Sequence, residues 1–195
     1  MLSMYKFKLG IRIIKSYVWC KLFGRLYYDK KYIAGRWFKG LYAEGWRWAF
    51  ADYKGCKYLS VNLKVSWPVS ARINVIRPEN IIFHPDDLNN FQGFGNYYQA
   101  IEKIEIGKGT YIACNVAIIT ANHNQLNLDQ HLKGKPVIIG KECWIGFNSV
   151  ILPGVVLGDR TIVGAGSIVT KSFPDGNCVI AGNPAQIIKY VGSAE

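Results

Sequence analysis

Apolar residues in the second half of the chain recur every six positions. Ile139, Ile145, Ile151, Leu157, Val163 and Val169 keep that spacing without a miss. The period fits neither the three-to-four spacing of an amphipathic helix nor the simple alternation of a single long strand. Four residues after each comes a second inward candidate, Cys143, Ser149, Val155, Thr161 and Ser167, all small or β-branched, until Phe173 breaks the pattern. Gly140, Gly146, Gly158 and Gly164 directly follow the aliphatic residue in four hexads, where a missing side chain relieves crowding at a turn. The same phase returns upstream at Ile106, Ile112 and Ile118, with Gly107 and Ala113 behind the first two and Thr110 and Val116 four places on. No amphipathic helices alternate with these segments, as a doubly wound sheet would need. The pattern predicts short parallel strands stacked around an aliphatic column.

The two repeat blocks are out of phase. Ile118 to Ile139 is twenty-one residues, three more than three full hexads, so a loop leaves the column there. Its sequence, NHNQLNLDQHLKGKP from Asn122 to Pro136, is polar and holds two of the three histidines. Loops on a rigid scaffold commonly carry function. Upstream, Val69, Val75 and Ile81 keep the spacing weakly, and residues 85–99, PDDLNNFQGFGNYYQ, lose it, which predicts degraded coils. At the other end, FPDGNCVIAGNPAQIIKYV is rich in turn-forming residues and predicts the end of the repeat, followed by a short C-terminal helix or tail over 186–195.

Composition divides the chain in two. Residues 1–65 hold 14 Lys/Arg against 3 Asp/Glu, whereas residues 66–195 hold 10 of each, so the whole net charge of +11 is N-terminal. Sixteen of the 27 aromatic residues also fall in the first 65 positions. We therefore expect a basic aromatic N-terminal arm over 1–65 and a repeat domain over 66–185 with an external loop near 122–136. Within the arm, Phe7, Ile11, Ile14, Val18 and Leu22 recur at helical spacing. Their stripe either packs on the repeat domain or lies on an anionic membrane at its inner face. No recognition motif points to nucleic acid.

Hydrophobic residues at 50% and charged residues at 19% exclude intrinsic disorder. Five cysteines without a C-x-x-C pair argue against a disulfide framework or a zinc knuckle and fit a reducing, cytoplasmic compartment. Lysines and arginines interrupt the N-terminal apolar residues, leaving no signal-peptide core and no uncharged span.

The hexads IGKGTY, IACNVA, IGKECW, IGFNSV, ILPGVV, LGDRTI and VGAGSI resemble those of the left-handed parallel β-helix acyltransferases, of the polysaccharide or sugar O-acetyltransferase type, over roughly residues 70–190. The resemblance implies an all-β domain of left-handed coils, three hexads to a triangular turn, although ordinary parallel crossovers are right-handed. It also implies acetyl-coenzyme A as acyl donor, a carbohydrate hydroxyl as acceptor, and a homotrimer with the coenzyme in the groove between subunits.

Residue by residue, IITANHN is similar to the family's active-site stretch and makes His123 the general base. CWIGFN and GAGSIVTK resemble the coenzyme-contacting runs, which implies roles for Trp144, Gly146, Ala165, Gly166, Thr170 and Lys171, with Lys189 in QIIKYV near a phosphate. Phe147 stands where many relatives have a small residue. FGNYYQ resembles the acceptor-facing segment of polysaccharide O-acetyltransferases, so Asn96, Gln99 and Asn122 are the expected sugar contacts. Related γ-class carbonic anhydrases bind zinc through three histidines, but only His123 is in phase with a repeat here, and no metal is expected. His84 and His131 read as turn and loop histidines, and Cys114 and Cys143 as buried structural thiols.

The same fold would serve a serine O-acetyltransferase or a sugar N-acetyltransferase. A reading of another class is a non-enzymatic β-helix scaffold or membrane-docking module.

Overall fold

The computed structural model describes residues 2–192, with side chains from Gly10 onward. It separates into two compact units, one up to Ala71 and one from Arg72 on.

The first unit is helical. α1 (Leu2–Tyr27) and α2 (Glu44–Leu59) pack together, with short 3-10 turns at Lys30–Ile33 and Arg36–Phe38 between them. The buried side of α1 is not the apolar stripe read from the sequence. It is the i, i+4 row Ser16, Cys20, Gly24 and Tyr28, whose small members let α2 approach. Tyr28 Oη donates to the Ala49 carbonyl at 3.0 Å, and Trp46 Nε1 donates to the Gly40 carbonyl at 2.8 Å. Ile11, Ile14, Val18 and Leu22 are exposed instead. Phe7 lies outside the described side chains.

The second unit is a parallel β-helix of triangular section. β1 (Asn74–Ile76) and β2 (Ile81–Phe83) begin it. The next coil is β3 (Tyr97–Gln99), β4 (Ile104–Ile106) and β5 (Tyr111–Ile112), and β6 (Ala117–Ile119) begins the one after. A hairpin of β7 (His123–Asn124) and β8 (Asn127–His131) then projects outward. Coiling resumes with β9 (Val137–Ile139), β10 (Trp144–Ile145), β11 (Val150–Ile151), β12 (Val156–Leu157), β13 (Ile162–Val163) and β14 (Ile168–Val169). β15 (Cys178–Gly182) and β16 (Ala185–Tyr190) close it.

Three sheets make the three faces. Face A stacks β1, β3, β6, β11 and β14; face B stacks β2, β4, β9 and β12; face C stacks β5, β10, β13 and β15, with β16 at its edge. Inside, Val75, Tyr98, Ile118, Ile151 and Val169 stack along face A, and Ile112, Ile145, Val163 and Ile180 along face C. Each fully buried aliphatic side chain contributes roughly 1.5–3 kcal/mol relative to exposure.

Hydroxyls complete the corners. Ser149, Thr161 and Ser167 are fully buried and donate to the carbonyls of Gly146, Gly158 and Gly164, three residues back, at 2.6 to 2.7 Å. The small inward residues of the repeat are thus chosen for a donor as well as for size.

The post-aliphatic glycines space one coil from the next. A methyl group on Gly146 would stand 2.6 Å from the Val163 carbonyl oxygen, and one on Gly140 would stand 2.6 Å from the Asp159 N–H nitrogen. The tight backbone lies two residues further on, where Gly109, Asn115, Glu142, Asn148, Gly154, Arg160 and Gly166 all have positive φ. A left-handed residue therefore recurs every six positions, and Glu142 and Arg160 adopt it without being glycine or asparagine.

The degraded stretch has its own logic. Residues Pro85–Phe91 form a 3-10 segment rather than a strand, so β5 lacks a neighbour on that side. Asn90 and Asp87 take the strand's place. The Asn90 side chain accepts from the Ile112 N–H at 2.9 Å and donates to the Thr110 carbonyl at 2.8 Å, and Asp87 accepts from the Gly109 N–H at 2.9 Å.

Two expectations change in detail. The twenty-one residues from Ile118 to Ile139 span a single corner, because β6 on face A leads to β9 on face B, so the insertion is longer than the phase shift implied. The C-terminal segment is not helical: β16 turns back antiparallel along β15, pairing Val179 with Lys189.

Candidate active site

The hairpin that interrupts the repeat is anchored at both ends. The Leu132 N–H donates to the Asn122 carbonyl at 2.9 Å, and the Lys135 N–H donates to the Thr120 carbonyl at 2.8 Å. His123 is the first residue of this hairpin, at the corner between faces A and B.

Its imidazole has a defined tautomer. Nδ1 lies 2.7 Å from the Leu128 carbonyl oxygen. A carbonyl can only accept, so Nδ1 is the donor here, and in the neutral ring Nε2 keeps its lone pair. His131, paired with His123 across the hairpin, stacks its ring 4.2 Å away, centroid to centroid, at 39°. The result is an exposed, oriented imidazole whose free nitrogen can take a proton from a hydroxyl within reach. The Leu128 carbonyl is a main-chain partner that no residue pattern announces.

Gln99 and Asn122 stand at the same corner. Gln99 Oε1 accepts from the Ala121 N–H at 3.3 Å, two residues before His123, and Asn122 is exposed. Asn96 is elsewhere. It is buried, its Oδ1 accepts from the Val116 N–H at 3.2 Å and its Nδ2 donates to the Tyr98 hydroxyl at 3.3 Å. Its amide holds the corner between faces C and A and is buried there, away from the corner that carries Gln99 and Asn122.

The expected coenzyme residues fall into two groups. Thr170 and Lys171 are exposed at the corner between faces A and B, on the His123 side, and Lys171 Nζ donates to Gln186 Oε1 at 2.8 Å. Trp144 projects from face C, 56% exposed, in register with Tyr111. Ala165 and Gly166 are exposed at the adjoining corner, where the Gly166 N–H donates to the Phe147 carbonyl at 2.8 Å, and Lys189 lies on β16 at the edge of the same face. Gly146 is buried between coils, where it acts as a spacer. In a triangular section, face C lies opposite the corner that carries His123, so one chain does not bring Trp144 and His123 together.

Other chemistries find little support in the geometry. Burial pushes the thiols of Cys143 and Cys178 above the ordinary cysteine range, which keeps them protonated and poorly nucleophilic. His84 Nδ1 accepts from the Asp86 N–H at 3.2 Å and serves its turn. Among the described residues no group of three or more His, Cys, Asp or Glu could hold a metal ion.

Comparison with known proteins agrees with the architecture. Residues 136–171 match the hexapeptide repeat of succinyl-transferase family. The chain is 38% identical over 95 residues to the galactoside O-acetyltransferase of Escherichia coli strain K12, covering 47% of this chain and 46% of that protein. It is 35% identical over 120 residues to WcaF, a putative colanic acid biosynthesis acetyltransferase of the same organism, covering 59% and 65%. A solved galactoside acetyltransferase in complex with coenzyme A superposes with a TM-score of 0.50 at 31% identity, over 66% of this chain and 58% of that one. The chain spans about half the length of the curated relatives it matches. The repeat and the three-faced register are those of a left-handed parallel β-helix, and over the matched residues the chain is similar to the hexapeptide-repeat acetyltransferases.

Proposed function

We propose that the protein is an acetyl-coenzyme A-dependent O-acetyltransferase acting on a sugar hydroxyl in surface polysaccharide synthesis, with His123 as general base. The observation that carries this reading is the 2.7 Å bond from His123 Nδ1 to the Leu128 carbonyl, which in the neutral ring leaves Nε2 as the acceptor at the point where the hairpin of β7 and β8 leaves the repeat. The names of the relatives, a galactoside O-acetyltransferase and a putative colanic acid acetyltransferase, support the choice of acceptor class.

The transfer is direct. Nε2 of His123 accepts the hydroxyl proton as the sugar oxygen attacks the thioester carbonyl, backbone N–H groups steady the oxyanion, and the thiolate of coenzyme A leaves with the proton returned from His123. Gln99 and Asn122 orient the acceptor. Trp144, Ala165, Gly166, Thr170, Lys171 and Lys189 frame the coenzyme.

Trp144 and His123 lie on opposite sides of the β-helix, which favours a homotrimer in which the face C of one copy meets the His123 corner of the next. The basic arm gives the enzyme a peripheral contact with the anionic inner face of the membrane, and the reaction takes place in the cytoplasm. Among the described residues no helix is long and apolar enough to cross a membrane.

Calorimetry with acetyl-coenzyme A, followed by thiol release with a panel of sugars and mass measurement of the product, tests the assignment. Binding with sugar-dependent thiol release is expected. No coenzyme binding, or release that yields only an N-acetylated amine, overturns it.

A further inference from the structure

α1 carries an exposed apolar stripe with a basic hollow on its flank. Ile11 is 50% exposed, Ile14 51%, Val18 45%, Leu22 67% and Leu26 74%. These positions lie opposite the buried row Ser16, Cys20, Gly24 and Tyr28. At 100° per residue, Lys21 falls between the two faces, and Arg25 falls within the stripe on the same flank.

There they line a hollow of about 520 Å³ with Lys30 and Lys39, floored by Cys20, Phe38 and Trp46. The Lys21 ammonium lies 5.0 Å from the Trp46 ring centroid, which holds it at the hollow by cation–π attraction. Four basic residues thus line one cavity. Only three carboxylates exist in residues 1–71, Asp29, Glu44 and Asp52, and none lines it. Glu44 is paired with Arg47 at 3.0 Å.

We propose that this hollow binds the phosphate of an anionic phospholipid while α1 lies in the plane of the bilayer, its stripe in the boundary between headgroups and acyl chains. The inference rests on the peripheral membrane contact given under Proposed function and assigns the residues that make it. An interfacial helix of this kind buries its apolar face roughly 5–10 Å deep and keeps its cations at the level of the phosphates. Lys15, inside the stripe, reaches that level by extending its side chain. A second copy of the chain is a poor occupant, because it would bring an equally cationic surface against this one.

The test is sedimentation of the full chain with vesicles of phosphatidylglycerol and phosphatidylcholine, against vesicles of phosphatidylcholine alone. Two double variants remove the same charge, Lys21→Gln with Arg25→Gln at the hollow and Lys54→Gln with Lys64→Gln away from it. A third, Val18→Ser with Leu22→Ser, removes apolar surface from the stripe. Circular dichroism melts verify that each variant is folded.

At about 1 kcal/mol for each basic residue near an anionic surface, the hollow pair should weaken vesicle binding about thirtyfold. The control pair should weaken it several times less, and the stripe variant should reduce binding as strongly as the hollow pair. Equal losses from the two charge pairs would mean diffuse attraction and overturn the hollow as a site while leaving the membrane contact standing. Failure of the unaltered protein to bind phosphatidylglycerol vesicles would remove both.

Discussion

Asn90 stands in for a strand: its side-chain oxygen accepts the Ile112 N–H at 2.9 Å, at the exposed end of face C. Replacing it with leucine keeps the volume and leaves a buried N–H and a buried carbonyl without partners, which costs roughly 1–3 kcal/mol. Urea unfolding of Asn90→Leu should show that loss. An unchanged midpoint would mean that the coils nearest β5 are satisfied in another way.

Arg160 has φ 56° at a position in the hexad that Asn115 and Asn148 fill with asparagine and Gly109, Gly154 and Gly166 with glycine. A side chain held in the left-handed region costs on the order of 1 kcal/mol. Arg160→Asn should therefore raise the melting temperature, by an amount corresponding to at most about 1 kcal/mol. Gly146→Ala should do the reverse and lose about 1–3 kcal/mol, since its methyl would press on the Val163 carbonyl of the next coil. Differential scanning calorimetry compares the two directly.

Burial pushes the Cys20 thiol up to about 12, from an ordinary value of 9.0. The folded chain then holds a proton that the unfolded chain releases, so this stabilisation is complete below pH 9 and is lost as pH rises towards 12. Unfolding free energy should fall between pH 9 and 11, and Cys20→Ser should flatten that slope. A slope unchanged by the substitution would assign it to other groups. At pH 8, a thiol reagent should reach the half-exposed Cys114 well before Cys20, Cys56, Cys143 and Cys178.

Trp144 is exposed on the face opposite His123, and under the trimer reading it packs against coenzyme held between copies. Trp144→Ala should raise KM for acetyl-coenzyme A about tenfold through loss of about 1–1.5 kcal/mol of aromatic contact, with kcat little changed. Sedimentation equilibrium should give three chains. A stable monomer at micromolar concentration with full activity would contradict the arrangement.

The period-six column was plain in the sequence because each coil repeats the same aliphatic demand: Ile139, Ile145 and Ile151 stand on three faces yet fill one core. The exit of the chain after Ile118 was equally visible as a break in phase. The replacement of a strand by Asn90 and Asp87 was not, because it depends on side chains that meet β5 about twenty residues later. The left-handed row at Gly109, Asn115, Asn148, Gly154 and Gly166 had a signal, glycine and asparagine at the third place after the aliphatic residue, but the glycines at the first place drew the attention. In the arm, a purely apolar criterion chose the exposed face of α1, since the buried row of Ser16, Cys20 and Gly24 works by smallness.

His123, proposed as the base, stands out in the sequence by its position at the end of a repeat strand, whereas the burial of Asn96 in the turn before β3 has no sequence signal. That Trp144 and His123 lie on different sides of the prism follows from counting hexads around a triangle, which a linear motif does not display.

The most direct test of the account is thiol release under saturating acetyl-coenzyme A and sugar, comparing the unaltered protein with His123→Ala. A general base of this kind contributes roughly 10²–10⁴-fold, so kcat should fall by that factor while acetyl-coenzyme A affinity measured by calorimetry stays the same. Turnover by His123→Ala within a few-fold of the unaltered protein would contradict the assignment of His123 as the base.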